Sequence, residues 1–234
     1  MLRFICIITF IISTYSYGQI HELGIFVGGA NTITDIGSNR YIRPNDIAFG
    51  GIYKWNKSTR HSYRISAIYA NINDADKNSN DPRRKLRDYS FRNNIKEITA
   101  GLEFNFTEFD LHDQHHSFIK GTPYLFTGVS FFHYDALYRK GTNPNMEKYN
   151  SHSTFAIPMV IGYKTTISQK IVLAFEIGAR YSFSDNIDGS NPVRDKEDFP
   201  ELKFGNTNSN DWYVFTGFTL TYTFGKNPCF CKYN

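Results

Sequence analysis

The chain has 234 residues and a formal net charge of +4, with both signs interspersed along its length. That modest, mixed balance gives no electrostatic basis for nucleic-acid binding. Aromatics are abundant, with 21 Phe, 16 Tyr and 2 Trp, which points to β-structure, and no stretch beyond the N-terminus is apolar enough to span a bilayer as a helix.

Residues 1–18, MLRFICIITFIISTYSYG, combine an early charge at Arg3, an apolar stretch from Phe4 to Ile12, and small residues Ser16 and Gly18 at the −3 and −1 positions. They read as a secretory signal peptide cut before Gln19, because the apolar run is short of the ~20 residues a spanning helix needs. Cys6 leaves with the peptide, so the mature chain, 19–234, keeps Cys229 and Cys231 alone.

From there period-2 alternation dominates. Runs 20–30 and 46–55 are strand-like. In 63–70, Tyr63, Ile65, Ala67 and Tyr69 oppose Arg64 and Ser66. IKEITAGLEFNFTEF is the cleanest: Ile98, Ala100, Leu102, Phe104 and Phe106 share one face, and Glu97, Thr99, Gly101, Glu103 and Asn105 share the other. Run 122–133 follows, then 154–164, where Pro158 predicts a bulge. In 171–183, Leu173, Phe175, Ile177, Ala179, Tyr181 and Phe183 oppose Glu176, Gly178, Arg180 and Ser182. In 212–224, Trp212, Val214, Phe218, Leu220, Tyr222 and Phe224 oppose Gly217, Thr219, Thr221 and Thr223.

The eight runs are joined alternately by long polar segments (31–45, 71–93, 134–153, 184–211) and short ones (NKSTRH, TTISQK), with 107–121 intermediate. This pattern predicts an all-β, eight-stranded antiparallel outer-membrane β-barrel over 19–225. Long loops lie outside; both termini and a tail, 226–234, lie in the periplasm. Tyr53, Trp55, Tyr163, Trp212, Tyr222 and Phe224 fall at strand ends, where interfacial girdles belong. Glu97, Glu103, Glu176, Arg64 and Arg180 then point into the lumen, where facing strands supply opposite charges. The rival is a soluble lipocalin-type barrel with its apolar face inward. The mid-strand charges, in the company of Gly, Ser, Thr and Asn, favour the membrane form.

Side chains fill an eight-stranded lumen, which argues against a porin and leaves an enzyme, a receptor or an anchor. Ser151, His152 and Ser153, at the start of the sixth strand, are the candidate for a rim-located lipid hydrolase. A Ser–His pair needs a third group to orient the base; none is visible, and the chain is read as non-enzymatic. Arg83, Arg84, Lys85 and Arg87 form a dense basic run suited to the phosphates of outer-membrane lipid or to a partner's carboxylates, with Asp74, Asp76, Asp81 and Asp88 nearby. His21, His61, His112, His115 and His116 collect on the periplasmic side with Cys229 and Cys231. They match no tight zinc spacing, so no metal or cofactor is expected. Exported cysteines tend to be paired, yet one residue between Cys229 and Cys231 makes their mutual bridge strained. That leaves a strained bridge, a bond to another protein, or free thiols, and assigns Cys229, Cys231, His112, His115 and His116 to partner docking.

Four stretches carry a family resemblance: HELGIFVGGANTITDIGSNRYIRPNDIAFGGIYKWN at 21–56, DPRRKLR, YSFRNNIKEITAGLEFNF and the closing YTFGKNPCFC. The mature chain resembles the PorG family of the type IX secretion system of Bacteroidota along essentially its whole length. Thr34 departs from the glycine expected before the Asp35-Ile36-Gly37 turn. The resemblance implies a non-enzymatic outer-membrane component associated with the periplasmic ring of a PorK-like lipoprotein and a PorN-like protein. Such systems export proteins with a C-terminal sorting domain and support gliding motility in some relatives. A stand-alone barrel receptor or adhesin, using its external loops, is the alternative.

Overall fold

The structure, a computed structural model, describes residues 20–111, 121–194, 197–198, 202–206 and 208–225. The signal peptide, His112, His115, His116 and the tail with Cys229 and Cys231 lie outside the described residues. The barrel strands are β1 (Ile20–Ile33), β2 (Asp46–Asn56), β3 (His61–Ala75), β4 (Ser90–Asn105), β5 (Gly121–Arg139), β6 (Met146–Ser168), β7 (Ile171–Ser182) and β10 (Trp212–Phe224). They close in the order β1-β10-β7-β6-β5-β4-β3-β2, every pair antiparallel. A two-residue ladder, β8 (Val193–Arg194) with β9 (Glu197–Asp198), lies within the last long connection.

The sidedness is that of a membrane protein. Ile98, Ile161 and Leu23 are about 60% exposed, whereas Glu103 and Lys164 are fully buried. A soluble barrel inverts this, so the lipocalin reading is excluded and the fold is a transmembrane barrel of the outer-membrane type. Each strand has at least the 9–11 residues a tilted crossing needs, β2 being the shortest at 11. The apolar belt is bounded at one end by Trp55, Tyr63, Tyr163 and Tyr222 and at the other by Tyr69, Tyr181 and Trp212.

The loop expected at 71–93 narrows to 76–89, and two expectations change on β5 and β6. Pro158 makes no bulge: the β5–β6 register is the same on either side of it, and pairing is merely interrupted opposite Gly128 and Val129. Proline removes one ladder donor without adding a residue. The bulge lies farther up, between Ala136 and Leu137, where Tyr149 is the extra residue. The loop expected at 134–153 shrinks to 140–145 because β5 and β6 continue beyond the belt. Polar cross-strand contacts sustain that extension: Ser151 Oγ donates to Asp135 Oδ1 at 3.1 Å, and Lys148 Nζ lies 2.6 Å from the same oxygen.

Candidate functional site: a sealed lumen between two closed ends

Alternation brings eight charges inward. Among the described residues the buried charges of the strands below the loop end are four cations, Lys54, Arg64, Lys164 and Arg180, and four carboxylates, Glu22, Glu97, Glu103 and Glu176; Asp74, at the loop end of β3, is a fifth buried carboxylate. Near the turn end, Glu103 receives Lys54 Nζ at 2.8 Å and Lys164 Nζ at 2.6 Å. Arg64 makes a two-pronged contact with Glu176, at 2.7 and 2.8 Å, and Tyr124 OH donates to the same carboxylate at 2.7 Å. Glu22 accepts from Thr221 Oγ1 at 2.6 Å and from Asn56 Nδ2 at 2.8 Å. In the upper lumen, Glu97 accepts from Tyr213 OH at 2.7 Å and from Thr99 Oγ1 at 2.8 Å, and Arg180 Nε lies 3.4 Å away. The guanidinium of Arg180 also lies over the Phe215 ring. Phe26, Phe132, Tyr213 and Phe215 fill the rest of this level.

The five inward charges expected from sequence are thus all in place. Lys54, Lys164 and Glu22 were not expected, although their position in the alternation was available to read. A carboxylate in low dielectric is tolerable when it is paired or hydrogen-bonded: Glu97, Glu103 and Glu176 face cations from other strands, Glu22 is held by Thr221 and Asn56, and the set fills the space a channel would need.

At the turn end, Phe109 N donates to Thr59 O at 3.0 Å, and the buried Phe109 ring covers the Lys164 ammonium at 4.9 Å. His21 stacks against Tyr53 and Phe224, with Nδ1 2.7 Å from Tyr53 OH. His61 packs on Phe104. Both therefore serve the aromatic girdle, on strands separated by β2, and no metal-binding group of His, Cys, Asp or Glu occurs among the described residues.

At the loop end, Asn186, Ile187, Asp188 and Ser190 are buried as a plug. Asp188 Oδ2 accepts from Ile36 N at 3.0 Å, Asp211 Oδ2 from Ile187 N at 2.8 Å, and Ile187 O from Asn93 Nδ2 at 2.7 Å. The basic run forms a short helix, Pro82–Arg87, capped by Asp81, whose Oδ1 accepts from Arg83 N at 2.8 Å. Here the expectation of a contact surface is corrected for two residues. Arg84 donates to Thr34 O and Gly37 O at 3.1 Å each, and Arg87 binds Asp76 at 2.7 and 2.9 Å and Asp35 O at 2.7 Å while lying over Tyr89 and Phe204. They tie the loops to one another, and only Arg83 and Lys85 face solvent. Neighbouring acids, matched to carbonyls left free by tight turns, explain why a basic run turns inward. The turn around Thr34 keeps its form because Gly37, at φ 93°, supplies the left-handed residue.

Burial, with the charges of Asp188, Asp185 and Asp35 around it, holds the Asp211 carboxyl well above the usual range. Burial, with Asp35 and Asp188 alongside, pushes Asp185 up to about 6. Asp35 is raised for the same reasons, burial first and then Asp188.

Ser151 and Ser153 lie within β6, on the opposite face from His152, so the three form no nucleophile–base pair. Ser153 Oγ instead lies 3.0 Å from His133 Nδ1 on the outer surface. No third side chain among the described residues hydrogen-bonds that imidazole.

The chain is similar to several solved structures at low identity. The attachment invasion locus protein Ail of Yersinia pestis is 10% identical, with a TM-score of 0.47 over 88% of this chain and 99% of that one. Neisserial surface protein A is 9% identical, with a TM-score of 0.47 over 88% and 97%. OprG from Pseudomonas aeruginosa is 9% identical, with a TM-score of 0.40 over 89% and 97%. No curated protein matches the sequence. The family described as a domain of unknown function, DUF6089, matches residues 2–233. That match spans nearly the whole sequence, and the chain belongs to the DUF6089 family.

Proposed function

We propose that this protein is a non-enzymatic, non-conducting outer-membrane barrel that holds the periplasmic ring of a type IX secretion system at the membrane. The observation that carries the reading is the lumen closed by its own paired charges, with Glu103 and Glu176 each satisfied from facing strands. A barrel that passes nothing acts through its surface, its loops or its tail. The resemblance of residues 21–56 and of the closing YTFGKNPCFC to the PorG family supplies the partner class: a PorK-like lipoprotein and a PorN-like protein. The turn end, with both strand termini, is the periplasmic end in this reading.

The test is affinity purification of the tagged protein from crosslinked native membranes, in mild detergent and without reductant. Ring proteins are expected in the eluate, and a barrel recovered alone overturns the anchor. Unchanged recovery with a Cys229→Ser/Cys231→Ser double variant removes the thiols from the contact. A receptor role is the second reading, favoured by a polar recess of about 370 Å³ at the loop end, lined by Asp35, Tyr41, Arg84, Asn206 and Trp212. Tyr41 is three-quarters exposed there.

A further inference from the structure

The lipid-facing surface carries one recess that the anchor reading does not use. It is an open groove of about 430 Å³ over β2 to β5, walled by Phe49, Tyr69, Ile98 and Phe131 and floored at Ala67. The register explains the hollow. Gly51, Ala67, Ile98 and Phe131 are lateral neighbours in one row, and the two smallest residues stand side by side. A Cβ on Gly51 would meet nothing within 4 Å. Paired rings frame the hollow, Phe49 with Tyr69 on one side and Phe131 with Phe155 on the other.

The next row toward the loop end is Tyr69, Lys96, His133 and Ser153, again direct neighbours across four strands. It marks the edge of the belt: on β4 the outward residues change from Ile98, Ala100 and Leu102 to Lys96, Asn94 and Arg92. Lys96 is exposed and has no ion-pair partner among the described residues. The nearest outward carboxylate on β5, Asp135, is already held by Lys148 at 2.6 Å and by Ser151. Glu97, beside Lys96 in sequence, points into the lumen. The row therefore presents unneutralised positive charge immediately above an apolar hollow. Ser153 Oγ lies 3.0 Å from His133 Nδ1; in the tautomer whose Nδ1 accepts from that hydroxyl, Nε2 carries the proton and is a donor.

We propose that this recess seats an acyl chain of a phosphorylated membrane lipid, whose phosphate is held by Lys96 and His133. An ammonium and an imidazole N–H are charge-assisted donors for phosphate oxygens, whereas a neutral lipid offers them no anion. The site binds and does not cleave, because no third group orients His133 as a base. The inference rests on the membrane placement of the barrel alone, and the fate of the ring reading leaves it untouched.

The experiment exposes the delipidated full-length protein in detergent micelles to dioleoyl phosphatidic acid or to dioleoylglycerol, and reads adducts by native mass spectrometry. A one-to-one adduct is expected with the phosphatidic acid and none with the dioleoylglycerol. Lys96→Gln removes the charge and Ala67→Phe fills the hollow. Both side chains are exposed, so heat-induced unfolding stays at the wild-type temperature. Each variant is expected to cut the phosphatidic acid adduct at least tenfold. Equal adducts with the two lipids, or a phosphatidic acid adduct that survives either substitution, overturns the proposal.

Discussion

Arg64 is held in the lumen by a carboxylate and an aromatic ring. It is buried, it grips Glu176 with two nitrogens, and it lies over the Phe126 ring. Removing one member of a buried pair leaves the other charge without compensation, which costs about 3–5 kcal/mol. Arg64→Met is therefore expected to lower the thermal unfolding temperature in detergent sharply, and Arg64→Met/Glu176→Gln to recover most of the loss. A single variant as stable as wild type would mean that water reaches the pair. Arg64 and Glu176 were legible as inward charges because each sits mid-strand opposite an apolar face. Their union was not, since 112 residues separate them and only the closure of the sheet makes them neighbours. Lys54 and Lys164 were harder still: each sits beside a girdle aromatic near a turn, where a polar residue is ordinary.

Elements that leave the apolar belt lose the pattern that announces them. β5 and β6 were read correctly within the belt, where the outward face must be apolar, and were cut short above it, where that face turns polar at Asp135 and Ser151 while Tyr134, Ala136 and Leu137 stay buried. The loop plug was invisible for a related reason: its order comes from carboxylates accepting backbone N–H groups of other loops, which leaves no periodic trace. The same acids give the cap a pH dependence. Asp185, at about 6, and Asp211, raised chiefly by burial, both lie above the ordinary unfolded value near 4. Groups raised on folding contribute stability fully present below the unfolded value and lost as pH climbs through the folded one. The plug is therefore expected to be tighter at pH 5 than at pH 7. Hydrogen exchange of amides 184–190, corrected for intrinsic rates, measures this; faster opening at pH 5 would contradict it.

Seen whole, the molecule is a barrel closed at three levels: Phe109 at the turn end, the paired charges and aromatics between the strands, and the segment around Ile187 at the loop end. In planar bilayers it is expected to give no stepwise conductance at neutral pH, and discrete channel steps would show that one of these closures opens. Sidedness was the one global feature that periodicity left undecided, because alternation looks the same from either face. The mid-strand glutamates and arginines tipped the choice, since a lumen can pair them and a lipid face cannot.

The seam between β1 and β10 has a consequence in time. Glu22 on the first strand meets Thr221 on the last, 199 residues away, so the closing contacts are among the most distant in the chain, and pairings of that span are slow to form. Until Trp212–Phe224 arrives, β1 and β7 each present a bare row of amides and carbonyls that hydrocarbon cannot accommodate. Assembly therefore cannot proceed strand by strand into the bilayer. The final strand acts as a latch, and a polypeptide interrupted before it is left an open sheet that the membrane refuses.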